Sequence, residues 1–322
     1  MEFTTVGSVG PRASVLGFGC ASVGSRHGRR ESLRALSRAF ELGINYFDVA
    51  RAYGYGNAEA ILGEFIRDKR DRVVVATKFG IDPPASTRAR RLVMGLARRV
   101  FRLAPGLRRS AGRQLGTQFT PQRFDADAML RSVEESLRQL RTDSIDVLLV
   151  HDCTAEALHD DRLFTALEHL HRAGKVRALG VSGPIVVVAE AAIRRPLLGV
   201  AQFRHDVFDD PVDKELAQPT RTSVGFHPFG GEAGSAQMRD VLRVASTDAR
   251  FPEELRRKLH DTDERAALPA LALQGARHNG VDIVVTAMFA RDHLEANARA
   301  VSSSVFTRAE IVLLREIGRR EG

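Results

Sequence analysis

Four polar residues stand at, or just beyond, the ends of short β-rich runs: Asp48 in YFDVA, Tyr53 in RAYGYG, Lys78 in VVVATKFG and His151 in VLLVHDC. Each alone reads as an ordinary structural residue, because a strand-end Asp caps helices, a loop Tyr packs and a His after a strand satisfies a neighbour. Together they answer one chemical problem, protonating a carbonyl oxygen while hydride reaches its carbon. A phenol has an unperturbed pKa of about 10, too high for ready proton release at neutral pH. A nearby ammonium stabilises the phenolate and so makes the phenol a better acid. Lys78 supplies that ammonium, and Asp48 would hold it charged and in place.

The elements that must position these residues follow from hydrophobic patterning. Strands are predicted at 14–19, 45–49, 72–78, 145–150, 176–182, 198–203, 222–227 and 282–287, with apolar helical stripes between them. The stripes run through Leu33, Leu36 and Phe40, through Leu130, Val133, Leu137 and Leu140, and through Leu163, Leu167 and Leu170. Eight strand-helix units in one chain predict an α/β fold of the (β/α)₈ TIM-barrel type, since no Gly-x-Gly-x-x-Gly turn follows the first strand. The chain reads as a single domain, 1–322, with long insertions after strands three and seven, at 80–124 and 229–262. In such a barrel the loops after strands surround the catalytic end, so both insertions are expected to overhang it.

With these motifs in order, the sequence resembles the aldo-keto reductase superfamily. LGFG is Leu16–Gly19, FD-x-A-x-x-YG is Phe47–Gly54, TK-x-G is Thr77–Gly80, D-x-L-L-x-H is Asp146–His151, GVS is Gly180–Ser182, and a Gln-bearing strand brings Gln202. The resemblance implies an NAD(P)-dependent oxidoreductase with Tyr53 as general acid, Asp48 and Lys78 as the pair that tunes it, and His151 orienting the carbonyl. Tyr55, two residues on, is the local competitor. It implies cofactor contacts from Gly19, Ser182, Gln202, Phe226, Asn297 and a cation at Arg291, no metal, and NADP(H) as cofactor with NAD(H) as the alternative. The substrate class is a carbonyl or alcohol: an aldehyde, ketone or sugar hemiacetal. Three departures stand out. Gly183 replaces an Asn frequent in relatives, and Thr286–Ala290 lacks the cation that usually grips a 2′-phosphate. Arg51 replaces a frequent Asp, either as a substrate-anion contact or as a surface residue.

Composition narrows the remaining classes. Of 322 residues 43% are apolar and 27% charged, enough for a large core, and a run of about eighteen apolar residues is absent. The start lacks signal-peptide features, which predicts a cytoplasmic protein, and the two cysteines, Cys20 and Cys153, are expected to be reduced. The net charge of +8 is local, because residues 82–124 hold ten arginines and one acid. That segment reads as a basic lid able to steer anions, with a candidate amphipathic helix at 92–104. Peripheral membrane or protein docking is its other reading, and its sparse aromatics argue against nucleic acid. The rival to an enzyme is a nucleotide-binding barrel that serves as a regulatory or binding subunit.

Overall fold

The computed structural model describes residues 1–8, 10–83, 122–214 and 216–321. The chain opens with a short antiparallel pair, β1 (Phe3–Thr5) and β2 (Arg12–Ser14). Eight parallel strands then close on themselves: β3 (Leu16–Gly19), β4 (Tyr46–Asp48), β5 (Val74–Phe79), β6 (Ile145–Val150), β7 (Val176–Ser182), β8 (Leu198–Arg204), β9 (Thr222–Phe226) and β10 (Ile283–Thr286), with β10 pairing back to β3. This is the predicted TIM barrel. The strands are buried on both faces, as a parallel sheet wrapped by helices requires.

Strand side chains alternate, and the alternation sets what fills the barrel. Tyr46, Val74, Ala76, Val147, Leu149, Ala178, Val200, Val224, Ile283 and Val285 form one inner cluster. Space for Tyr46 comes from Gly17, where a Cβ would lie 2.8 Å from the Tyr46 ring. The N-terminal pair adds Val6 and Ala13 to the same cluster, both wholly buried. Sequence reading missed this pair and merged Ser14 into the first barrel strand. Three-residue strands carry too little alternation to be seen.

The outer layer is helical, and its buried faces follow the apolar stripes with small rotations. Helix Arg29–Glu41 buries Ala35, Leu36 and Ala39, helix Ala126–Leu140 buries Met129, Val133, Leu137 and Leu140, and helix Asp161–Arg172 buries Leu163, Phe164, Leu167 and Leu170. Leu130, assigned to a buried stripe, is 37% exposed instead, and Met129 takes its place. The sixth unit departs further, because residues 205–221 form no regular helix among those described. Pro211 and Pro219 interrupt this stretch, and Asp206 and Asp209 side chains take up the amides of Phe208 and Asp206 at 3.0 and 2.7 Å, local bonds that compete with a helix. The gap is filled by helices Glu264–His278 and Arg308–Glu321. Their Gly275 and Gly318 make room for Val207 and Phe208.

The excursion after β9 forms helices Gly231–Thr247 and Glu253–Asp261, and the first packs on helices Glu264–His278 and Arg308–Glu321. The Arg-rich lid assigned to 80–124, with its candidate helix at 92–104, lies outside the described residues between 84 and 121. Its two described ends meet: Ile81 bridges Gln122, and the Arg123 amide donates to the Gly80 carbonyl at 2.8 Å. Among the described residues no helix is long and apolar enough to cross a membrane.

Candidate active site

The inner cluster ends in five polar residues and one aromatic at the C-terminal end of the barrel. Two residues beyond Tyr46, Ala76, Leu149, Gly180, Val200 and Val224 stand Asp48, Lys78, His151, Ser182, Gln202 and Phe226, so period-two alternation turns all six toward the same axis. Asp48 and Lys78 are 4% and 2% exposed, with Lys78 Nζ 2.5 Å from Asp48 Oδ1. Lys78 Nζ also donates to the Val49 carbonyl at 3.2 Å, while Gln202 Nε2 donates to Asp48 Oδ2 at 2.6 Å. Burial opposes the lysine's charge, but the fields of Asp48 and Tyr53 outweigh it and hold its pKa above the ordinary lysine value. An ammonium fixed this way cannot wander from its partner.

Tyr53 reaches the pair from the turn Tyr53–Gly56, and that turn explains the YGYG sequence. Gly54 has φ 60° and a Cβ there would sit 2.2 Å from the Val23 carbonyl oxygen, so only glycine fits. Tyr55 is left-handed too, at φ 57°, an uncommon state for a bulky residue and costly by about 1–3 kcal/mol. The turn parts the two tyrosines. Lys78 Nζ lies 5.1 Å from the Tyr53 ring centroid, whereas Tyr55 is 51% exposed. Burial pushes the Tyr53 phenol above its ordinary value, Lys78 pulls it back, and Asp48 and Asp152 add to the rise.

His151 meets Tyr53 edge to face, with ring centroids 5.9 Å apart at 84°. Its Nδ1 is buried with no hydrogen-bond partner among the described residues, a costly arrangement unless a further group approaches. Burial, reinforced by Lys78, lowers the imidazole pKa to about 3. It is therefore neutral across the physiological range and can donate one N–H. We expect the His151 ring resonance, assigned by its loss in His151→Asn, to stay fixed between about pH 5 and 8, where a free histidine titrates. A midpoint near the free value would show that the imidazole is not buried beside Lys78.

The residues assigned to a dinucleotide are distributed unevenly. Ser182 and Gln202 are register partners on neighbouring strands, both nearly buried, and the Gly183 amide donates to the Gln202 carbonyl at 3.1 Å. Gln202 spends one amide N–H on Asp48, which leaves its Oε1 and second N–H for a ligand. Phe226 is partly buried and caps the inner cluster. Gly19 closes β3, where a Cβ would press within 3.3 Å of Val285. Arg291 opens helix Arg291–Ser302 and pairs with Glu295 at 2.8 Å, a carboxylate that Arg38 also holds at 2.8 Å. Asn297, on the same helix, is 4% exposed, so its amide faces inward.

Sequence reading missed three features here. Arg51 is neither a surface residue nor free for an anion; it is 8% exposed and bonded to Glu59 at 2.7 Å. Phe289, in the turn that lacks a cation, stacks on His27 with centroids 3.8 Å apart at 7°. Gly230 and Gly231, with φ 60° and 75°, turn the chain after β9 into helix Gly231–Thr247, whose first amides have no intrahelical partner and could hold phosphate oxygens. A Gly-Gly pair before an amphipathic run was the available signal.

A model of the aldo/keto reductase family matches residues 15–319. Among curated proteins the chain is 29% identical over 188 residues to the aldo-keto reductase YhdN of Bacillus subtilis, covering 56% of this chain and 47% of that one. It is 31% identical over 240 residues to pyridoxal 4-dehydrogenase of Microbacterium luteolum, covering 67% of this chain and 66% of that one. The chain thus spans 47% and 66% of the length of these relatives. An aldo-keto reductase of Bacillus halodurans, solved in its holo form, superposes with a TM-score of 0.67 at 23% identity, over 98% of this chain and 96% of that one, a likeness of fold.

Proposed function

The chain belongs to the aldo/keto reductase family, and from that membership we propose that it is a nicotinamide-dependent oxidoreductase that moves hydride between NAD(P)H and the carbonyl carbon of an aldehyde, ketone or sugar hemiacetal. The observation that carries this reading is the buried Lys78–Asp48 pair at 2.5 Å beside the Tyr53 ring. In reduction, Tyr53 passes its proton to the carbonyl oxygen, and Lys78 stabilises the phenolate left behind. Asp48 keeps Lys78 charged and aimed, and Gln202 fixes the second oxygen of Asp48. A neutral His151 donates one N–H to the same carbonyl oxygen and orients it. In oxidation the phenolate takes the alcohol proton and the same contacts run in reverse. A bound nicotinamide would supply or accept the hydride.

The dinucleotide fits the residues present, because the inward Ser182–Gln202 pair and the cap at Phe226 lie together at one end of the barrel. Arg291 is the candidate partner for a 2′-phosphate, and its ion pair with Glu295 is exposed enough to exchange at little cost. Glu295, whose carboxyl Arg291 and Arg38 hold down to about 2, competes for that guanidinium. NADPH is therefore expected to bind only modestly tighter than NADH. Arg291→Ala should bring the ratio of affinities toward one, while Glu295→Gln should raise it by about tenfold or more, the scale of one charge-assisted hydrogen bond. An unchanged ratio in Arg291→Ala removes this residue from the phosphate site.

Fluorescence titration with NADPH and NADH, followed by turnover on a panel of aldehydes that includes pyridoxal and aldoses, tests the function itself. Tight nucleotide binding with turnover of panel members supports an oxidoreductase. Binding without turnover of any member would favour the regulatory reading.

A further inference from the structure

A buried carboxylate that the proposed chemistry does not use lies beneath the loop carrying Tyr53. Glu59, in the first turn of helix Ala58–Ile66, is 1% exposed. Its Oε1 accepts from the Thr77 hydroxyl at 2.7 Å, and its Oε2 accepts from Arg51 Nη1 at 2.7 Å. Burying such a group is costly unless its charge is paired and its oxygens are bonded. Here both conditions are met by residues adjoining the site. Arg51 lies between Asp48 and Tyr53 in sequence, and Thr77 immediately precedes Lys78 on β5, turned to the opposite face of the strand. One carboxylate therefore spans the loop that holds the phenol and the strand that holds the ammonium.

Two other bonds tie the start of this loop to β5, the Val49 amide to the Ala76 carbonyl at 2.8 Å and Lys78 Nζ to the Val49 carbonyl at 3.2 Å, but nearer Tyr53 the bonds are local. The Tyr53 amide donates to the Ala50 carbonyl at 3.1 Å, and Asn57 Nδ2 donates to the Gly54 carbonyl at 2.9 Å, bonds that shape the loop but do not tie it to β5. Arg51 Nη2 stays 3.9 Å from Glu135, and its Nε is buried without a partner among the described residues, so among them the Glu59 contact is the close one that fixes the guanidinium.

We infer that Glu59 is a positioning residue: the Arg51–Glu59–Thr77 clamp sets the separation of Tyr53 from Lys78 and thereby the acidity of the phenol. The inference rests on Tyr53 being the acid. Its physics is Coulombic, since the attraction between an ammonium and a phenolate falls with distance and is weakly screened in a buried site. Among the described residues, the charged and titratable groups facing the phenol are Lys78 from β5, Asp48 from β4, and His151 and Asp152 just beyond β6. Loosening the loop moves Tyr53 away from the one cation among them.

The chain suits a direct measurement, because it has three tyrosines and no tryptophan. The ultraviolet titration of Tyr53 is the wild-type tyrosinate signal minus that of Tyr53→Phe, and each further variant is read against its own Tyr53→Phe background. In Glu59→Gln the expected outcome is nucleotide affinity within about twofold, KM little changed, and Tyr53 titrating at higher pH. Alcohol oxidation by the oxidised nucleotide should fall about tenfold in kcat, the loss of phenolate for one unit of pKa. Arg51→Met should reproduce these effects and Arg51→Lys should show smaller ones. If Glu59→Gln does not fold, Thr77→Val and Arg51→Met carry the same readouts. A lower melting temperature with kcat and the Tyr53 titration unmoved would make the network structural only and overturn the inference. Should Tyr53→Phe itself oxidise alcohol as well as the wild type, the general-acid reading fails and the clamp with it; loss in Tyr53→Phe without loss in Glu59→Gln defeats the clamp alone.

Discussion

Tyr53→Phe is expected to bind nucleotide within about twofold of the wild type and to turn substrate over at least about 10²-fold more slowly, the usual cost of a lost general acid. The change removes one oxygen and no packing, because the ring that meets His151 edge to face is retained. Tyr55→Phe is the control. Its side chain is 51% exposed, whereas the Tyr53 ring lies 5.1 Å from Lys78 Nζ, so the second variant should lose little. Stopped-flow turnover with one nucleotide and one aldehyde, run on both variants, separates them. If Tyr55→Phe is the damaging change and Tyr53→Phe the mild one, the acid has been assigned to the wrong tyrosine.

The site was legible in the sequence because the property that builds it is periodic. Once VVVATK is read as a strand, Ala76 inward makes Lys78 inward, and the same step of two carries Tyr46 to Asp48 and Val200 to Gln202. Alternation needs only the strand and its parity, both of which survive boundary errors of a residue or two. What stayed hidden depends on partners distant in sequence. Nothing near Arg51 announces that it will be buried against Glu59, whose other oxygen takes the Thr77 hydroxyl from β5, so a charged loop residue read as solvent-facing or substrate-facing turned out to be buried. The missing sixth helix belongs to the same class: the stretch 205–221 looked long enough for one, but its Pro and Asp residues favour local turns, and the cover for that side of the barrel comes from helices sixty to a hundred residues further on. Leu130 and Met129 show a third limit, since adjacent apolar residues on a helix leave its rotation undetermined by about one position.

Lys78 tests whether stability and chemistry at this end of the barrel can be separated. Lys78→Met keeps the length of the side chain and removes its charge, leaving Asp48 4% exposed with Gln202 as its remaining side-chain partner. Breaking a buried pair from one side costs about 3–5 kcal/mol, because the surviving charge is stranded away from water. Chemical denaturation of the variant should show a loss of that order. Turnover should fall as well, since the Tyr53 phenol, already raised by burial, loses the cation that lowers it. The double variant Lys78→Met with Asp48→Asn removes the stranded charge and still offers Gln202 an amide oxygen to donate to. It should recover most of the stability and none of the turnover. If the double variant is no more stable than the single one, Asp48 was not being held by Lys78, and the 2.5 Å contact would have to be read as incidental to the fold. If instead Lys78→Met keeps wild-type turnover and an unmoved Tyr53 titration, the ammonium supports the barrel and leaves the phenol untuned. Recovery of stability with persistent loss of activity is the one pattern that assigns the lysine to the chemistry, because packing alone would restore the two together.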